Sequence, residues 1–262
     1  MSSPDELRAL VESYLGELAL TPELGGLEAS MRHALAGGGK RVRPVLCLAT
    51  AEAAGAEPEA ALPAAAALEL VHNFSLVHDD LPALDDDEVR RGRPSTWAEH
   101  GEAVAILAGD ALLAEAFRLA LSYPTTAIGR EVAQATLGMI GGQYLDITAT
   151  ASDLPSLHRL KTGCLFAASV GLGLWVAEVP EREQRPWRAF GDELGLLFQV
   201  DGCPRRSSSS SSAGRSSWTS ENVCTSSSAA AAGSAVSASP PAASAVARQI
   251  TGRTRLPPTS IE

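Results

Sequence analysis

Between Asp79 and Asp87 the chain places five aspartates in nine positions, Asp79, Asp80, Asp85, Asp86 and Asp87, and follows them with Arg90 and Arg91. Carboxylates this close repel one another unless a cation neutralises them. Oxygen-only donors suit Mg²⁺, with Mn²⁺ as a substitute, because these ions keep waters and bridge to substrate phosphates. Alone, an acidic run reads as a solvated loop. The adjoining arginines change the reading, since guanidinium forks match phosphate oxygens in bidentate fashion. Acids that hold Mg²⁺ beside arginines that hold phosphate make a diphosphate clamp. Upstream, GGGKRVRP at 37–44 joins three glycines, which let backbone approach a ligand closely, to the charges of Lys40, Arg41 and Arg43. By itself it reads equally as a basic loop capping a helix. Two anion clamps in one chain point to two phosphorylated substrates.

The elements that must position these groups are helices. Up to residue 201 the chain is rich in Ala, Leu and Glu, and breakers such as Pro22, Gly37–Gly39, Pro58, Pro94, Pro124, Pro155 and Pro186 recur at intervals. The spacing predicts an all-α domain of about eight helices, the last opened by Pro186. Asp79 falls at the end of the apolar run Leu68–Val77, and the inserted Leu-Pro-Ala-Leu of 81–84 should bend the chain so that Asp79 and Asp85 face one site. His72, in that same run, reads as a core histidine or as a ligand contact. His78 reads as a packing or hydrogen-bonding group, since Mg²⁺ prefers oxygen.

Composition excludes several classes. A net charge of −10 argues against a nucleic-acid surface. The four cysteines are scattered without a CxxC pair, so neither a zinc site nor a disulfide framework is indicated and a cytoplasmic setting is expected. The start MSSPDELRAL lacks a signal pattern. The longest uncharged apolar stretch, Cys164–Ala177, suits a buried helix rather than a transmembrane segment. From residue 202 the sequence turns to Ser, Ala, Arg and Pro, with a run of serines at 207–212. It reads as a disordered tail, either a natural low-complexity segment or an out-of-frame translation.

The motifs GGGKRVRP, DDLPALDDDEVRRGRPS (79–95), AILAGDALL (105–113), GGQYLDI (141–147) and KTG (161–163) stand in an order that resembles the trans-isoprenyl diphosphate synthases of the bacterial farnesyl/geranylgeranyl type. The resemblance implies an isoprenoid synthase-type helical bundle around a central cavity, a homodimer, and Mg²⁺-dependent joining of isopentenyl diphosphate to an allylic diphosphate, dimethylallyl or geranyl. It implies Asp79, Asp80 and Asp85 at the metal, and Arg90 and Lys161 on the allylic diphosphate. It implies Lys40, Arg43, His72 and Arg91 on isopentenyl diphosphate, with Thr162 and Gln143 turning dipoles to the allylic cation. Asp146, one turn after Gln143, belongs to the same polar face. The glycines of GGQYLDI are expected to permit close helix packing.

The sequence departs from that family after Phe198-Gln199, where a second paired-aspartate motif is expected. Here Asp201 stands alone and Gly202 and Pro204 should stop the helix. The expectation is a helical domain over 1–201, incomplete at its C-terminal side, with impaired synthase activity. Phe74, five residues before Asp79, favours a fifteen-carbon farnesyl product over the twenty-carbon geranylgeranyl alternative. A non-catalytic partner subunit of a synthase is the rival reading.

Overall fold

The computed structural model describes residues 1–148 and 154–202. The reading of the serine-rich tail as disordered or out of frame falls, from residue 203 onward, outside the described residues.

The architecture is all-α. In chain order the helices are α1 (Pro4–Glu17), α2 (Glu28–Leu35), α3 (Val42–Ala53), α4 (Leu62–Asp79), α5 (Thr96–His100), α6 (Glu102–Ala120), α7 (Thr126–Ile147), α8 (Leu154–His158), α9 (Cys164–Val176) and α10 (Glu181–Gly202). A two-residue-per-strand hairpin, β1 (Val89–Arg90) with β2 (Arg93–Pro94), stands between α4 and α5. The described residues thus hold ten helices where breakers suggested about eight. The extra ones are short: α5 ends at Gly101 (φ 86°) and α6 starts at once, without a proline to mark the boundary.

α4 is the axis of the bundle. Its residues from Ala64 to Phe74 are all buried, as a helix apolar on every side must be. The stretch Pro58–Asp79 is long and apolar enough to cross a membrane by length and composition, but 72% of its most apolar window is covered by the rest of the bundle. α6 packs along α4 through small residues, with Ala105, Ala108, Leu112 and Ala116 fully buried. The predicted apolar segment at 164–177 is α9, pressed onto α3 and α10.

Pro186 does not open the last helix. α10 starts at Glu181, because the Glu183 N–H donates to the Pro180 carbonyl and the Gln184 side-chain amide donates to the Val179 carbonyl, both at 2.8 Å. Pro186 sits in the second turn, where it removes one main-chain bond without ending the helix. The helix runs through Asp201 to Gly202, and the expected stop at Gly202 and Pro204 falls at the edge of the described residues.

One buried ion pair ties the N-terminal helix to this frame. Arg41, in a left-handed conformation (φ 46°), starts α3 and turns its guanidinium inward. It donates to Glu69 of α4 at 2.5 Å, to Glu12 of α1 at 2.8 Å and to the Leu35 carbonyl at 2.8 Å. Burial opposes its charge, but Glu69 and Glu12 more than offset this and hold its pKa above the ordinary value. Arg41 therefore supplies charge to the core and not to a ligand. Arg41→Ala strands the Glu69 carboxylate and should lower unfolding free energy by about 3–5 kcal/mol, read as a lower urea midpoint.

Candidate active site

The last turn of α4 and the loop after it bring the acids together. The Asp85 N–H donates to the Asp79 carbonyl at 2.9 Å and the Asp87 N–H to the Asp80 carbonyl at 3.0 Å, so the Leu-Pro-Ala-Leu insertion folds Asp85 back onto the helix end as expected. Burial pushes the Asp79 carboxyl from 3.8 up to about 7; Lys161 draws it down, while Asp85 and Asp80 add to the rise. Asp85 is raised as well, chiefly by burial and against the pull of Lys161. Hard oxygen donors that disfavour one another's charge fit Mg²⁺ or Mn²⁺.

Asp80 is placed differently. It is buried, and its carboxylate receives the guanidinium of Arg90, with Nε to Oδ1 at 3.0 Å. The three aspartates expected at a metal, Asp79, Asp80 and Asp85, oppose one another's charge, and Asp80 is in addition the counter-ion that aims Arg90. Among the described residues no three His, Cys, Asp or Glu side chains converge on one cation position. A cation held by Asp79 and Asp85 would draw its remaining oxygens from water and substrate, as Mg²⁺ does.

Opposite the acids stands the π-helical turn Arg159–Gly163, which carries Lys161 and Thr162 between α8 and α9. Such a turn widens the helix by one residue and often marks a functional position. The Lys161 ammonium donates to Asp146 Oδ2 at 2.5 Å. The close approach is permitted by Gly142 of α7: a Cβ there would lie 2.3 Å from the Lys161 backbone nitrogen. Gly141 has open space around its Cβ position, so only one glycine of the pair has the packing role expected of both. Gln143 Oε1 is buried without a hydrogen-bond partner, and Thr162 is buried.

The basic side lies about two turns earlier on α4, around His72. Arg43 is buried, its guanidinium 4.9 Å from the Phe166 ring centroid and its Nε without a partner. Burial lowers its pKa, with Glu69 acting the other way. Burial, then Arg43, Arg91, Arg41 and Arg90, hold His72 well below 6.5, so the imidazole is neutral. Arg91 takes the left-handed conformation (φ 54°) in the hairpin turn and donates to the Gly38 carbonyl, bringing it to the glycine loop. Lys40 is exposed at the loop's end, outside this buried cluster.

His78 packs rather than ligates. Its ring fills the space over Gly109 of α6, where a Cβ would lie 2.2 Å from Nε2, and contacts Phe74 edge-on with centroids 4.9 Å apart. The contributions of Phe166 under Arg43 and of the π turn had no sequence signal. Asp146 had one, its position on the Gln143 face.

In metal-free protein the raised pKa of Asp79 makes a signed prediction. The folded state holds a proton that the unfolded chain releases, so stability falls as pH rises from about 4 to about 7. Asp79→Asn should flatten that slope and raise stability at pH 8 by on the order of 2 kcal/mol. Urea midpoints in chelator at pH 5 and pH 8 measure both.

The family model described as polyprenyl synthetase matches residues 25–202. A geranylgeranyl diphosphate synthase of Cyanophora paradoxa is 42% identical over 186 residues, 65% of this chain and 62% of that protein. A farnesyl diphosphate synthase of Bacillus subtilis (strain 168) is 39% identical over 189 residues, 66% of this chain and 64% of that protein. The chain thus spans under two thirds of the length of these relatives. A crystal structure of a geranylgeranyl pyrophosphate synthase superposes with a TM-score of 0.71 at 32% identity, covering 76% of this chain and 63% of that one. A geranyltransferase from Legionella pneumophila gives 0.67 at 34% identity, covering 75% of this chain and 76% of that one. With the helical bundle, the ordered motifs and a profile match over most of the chain in agreement, the protein belongs to the polyprenyl synthetase family.

Proposed function

We propose that the protein carries the machinery for head-to-tail condensation of isopentenyl diphosphate with an allylic diphosphate, dimethylallyl or geranyl, releasing inorganic diphosphate. The observation that carries this reading is the pairing of two unlike poles on one helix. His72 and Asp79 are seven residues apart on α4, nearly in line and about 10 Å along its axis. Around His72 gather Arg43 and Arg91; around Asp79 gather Asp85 and Lys161. One pole suits an anion bound directly, the other an anion bound through a divalent cation.

Bound Mg²⁺ would be held by Asp79 and Asp85 and would neutralise the allylic diphosphate as it leaves. Arg90, aimed by Asp80, and Lys161, aimed by Asp146, hold oxygens of the same diphosphate. Gln143 Oε1 and the Thr162 hydroxyl are suited to stabilise the allylic cation by their dipoles, since a preorganised dipole in a dry site needs no reorganisation. Arg43, Arg91, neutral His72 and the exposed charge of Lys40 hold isopentenyl diphosphate with its double bond toward that cation. The released diphosphate accepts the final proton, so no side-chain base is required.

Phe74, buried below Asp79 and braced by His78, supports a farnesyl product, with geranylgeranyl diphosphate as the alternative. Exposed Ile106 and Leu107 of α6 and Leu137, Ile140 and Tyr144 of α7 support a homodimer. Reduced Cys47 and Cys164 are in keeping with a cytoplasmic protein. The domain division is taken at 1–201 and 202–262. After Gln199 the sequence reads Val-Asp-Gly-Cys-Pro-Arg-Arg-Ser where a paired-aspartate motif is expected. Loss of that second acidic wall supports impaired turnover, or service as a partner subunit to a complete synthase.

Product assay with isopentenyl and geranyl diphosphates and Mg²⁺ tests the reading. The 262-residue chain should turn over at least about a thousandfold more slowly than one given a family-like ending after Gln199, equivalent to about 4 kcal/mol of lost charge stabilisation. No product from the repaired chain refutes the activity, and equal rates refute the impairment. In the repaired chain Phe74→Ala should shift the product distribution toward longer chains.

A further inference from the structure

At the metal pole carboxylates aim the cations, Asp80 holding Arg90 and Asp146 holding Lys161. Arg43, at the basic pole, is placed by other means. Its Nε is buried with no hydrogen-bond partner, and the carboxylate of Glu69 is taken up by Arg41 at 2.5 Å and by Asn73 at 3.1 Å. What the Arg43 guanidinium meets is the face of Phe166, with Cζ 4.9 Å from the ring centroid, within the range of a cation–π contact. A carboxylate in that place would occupy N–H donors and set a negative charge where a diphosphate must arrive. An aromatic face orients the guanidinium through its quadrupole and leaves the fork of N–H groups to match phosphate oxygens.

The ring is itself held in place. Phe166 is fully buried at the start of α9 and packs on Phe198 of α10, with centroids 4.6 Å apart and ring planes at 41°. α10 comes this close because residue 195 is glycine. A Cβ there would lie 2.8 Å from the Gly163 Cα and 3.3 Å from the Phe166 Cβ. Contact therefore runs from α10 through Phe198 and Phe166 to Arg43 on α3, without passing through any of the clustered acids.

We propose that Phe166, seated by Phe198, is a positioning residue for isopentenyl diphosphate: its ring face fixes the Arg43 guanidinium where the substrate's phosphate oxygens take it up. The substrate assignment rests on the prenyl-transfer reading. The last turns of α10 thereby act on the basic pole of the site through two aromatic rings.

The test is calorimetric titration of the full chain with isopentenyl diphosphate and, separately, with geranyl diphosphate and Mg²⁺. Phe166→Leu should weaken isopentenyl diphosphate about tenfold, and Phe198→Leu about threefold, with little change for geranyl diphosphate. Trifluorophenylalanine in place of Phe166 keeps the packing but withdraws charge from the ring face, and should also weaken isopentenyl diphosphate selectively. Circular dichroism confirms that the variants are folded. Equal weakening of both diphosphates by Phe166→Leu, or unchanged isopentenyl diphosphate affinity with the fluorinated ring, reduces Phe166 to a packing residue and overturns the proposal. A double-mutant cycle of Arg43→Met with Phe166→Leu, read from urea midpoints, examines the contact without substrate, and additive losses overturn it. If the unaltered chain binds no isopentenyl diphosphate, the prenyl-transfer reading fails, and the cycle still decides whether Phe166 holds Arg43.

Discussion

Two aspartates stand at the carbonyl end of a buried helix, where the aligned peptide dipoles already present about half a negative charge. Helix ends ordinarily take cations there. At the end of α4 the chain instead places Asp79 and Asp80 and folds Asp85 back beside them. Burial first, then repulsion from Asp85 and Asp80, push Asp79 up to about 7, and the helix end adds no relief. Much of the surrounding structure answers this rise. The hairpin delivers Arg90 to Asp80, and the π turn delivers Lys161 to the neighbourhood of Asp79 and Asp85. Two cations thus face three acids.

The supporting cations are themselves held by acids outside the cluster. Asp146 grips Lys161 from α7, and that helix can come close enough only because Gly142 has no side chain. On the other pole the same economy appears in reverse. Arg41 is fully engaged by Glu69 and Glu12, which leaves Arg43, two residues on, as the buried guanidinium with an unpaired Nε. Aromatic contact with Phe166 compensates part of the cost of burying that charge. The contrast separates an arginine satisfied by acids from one satisfied in part by an aromatic ring.

This division explains what could be read from the sequence. Residue type and order identified the acid cluster, the basic loop and the KTG segment, because each is local and each violates the ordinary pattern of a soluble helix. The bend between Asp79 and Asp85 was legible from the inserted proline, and α9 from its uninterrupted apolar run. Partner choice was not legible. Nothing in RVR distinguishes Arg41 from Arg43 until the left-handed start of α3 sends one toward α1 and the other toward α9. Nothing in DD distinguishes Asp79 from Asp80 until a step of 100° around the helix separates them. Gly141 and Gly142 differ for the same reason. Pro186 misled because a proline in the second turn of a helix resembles one at its start.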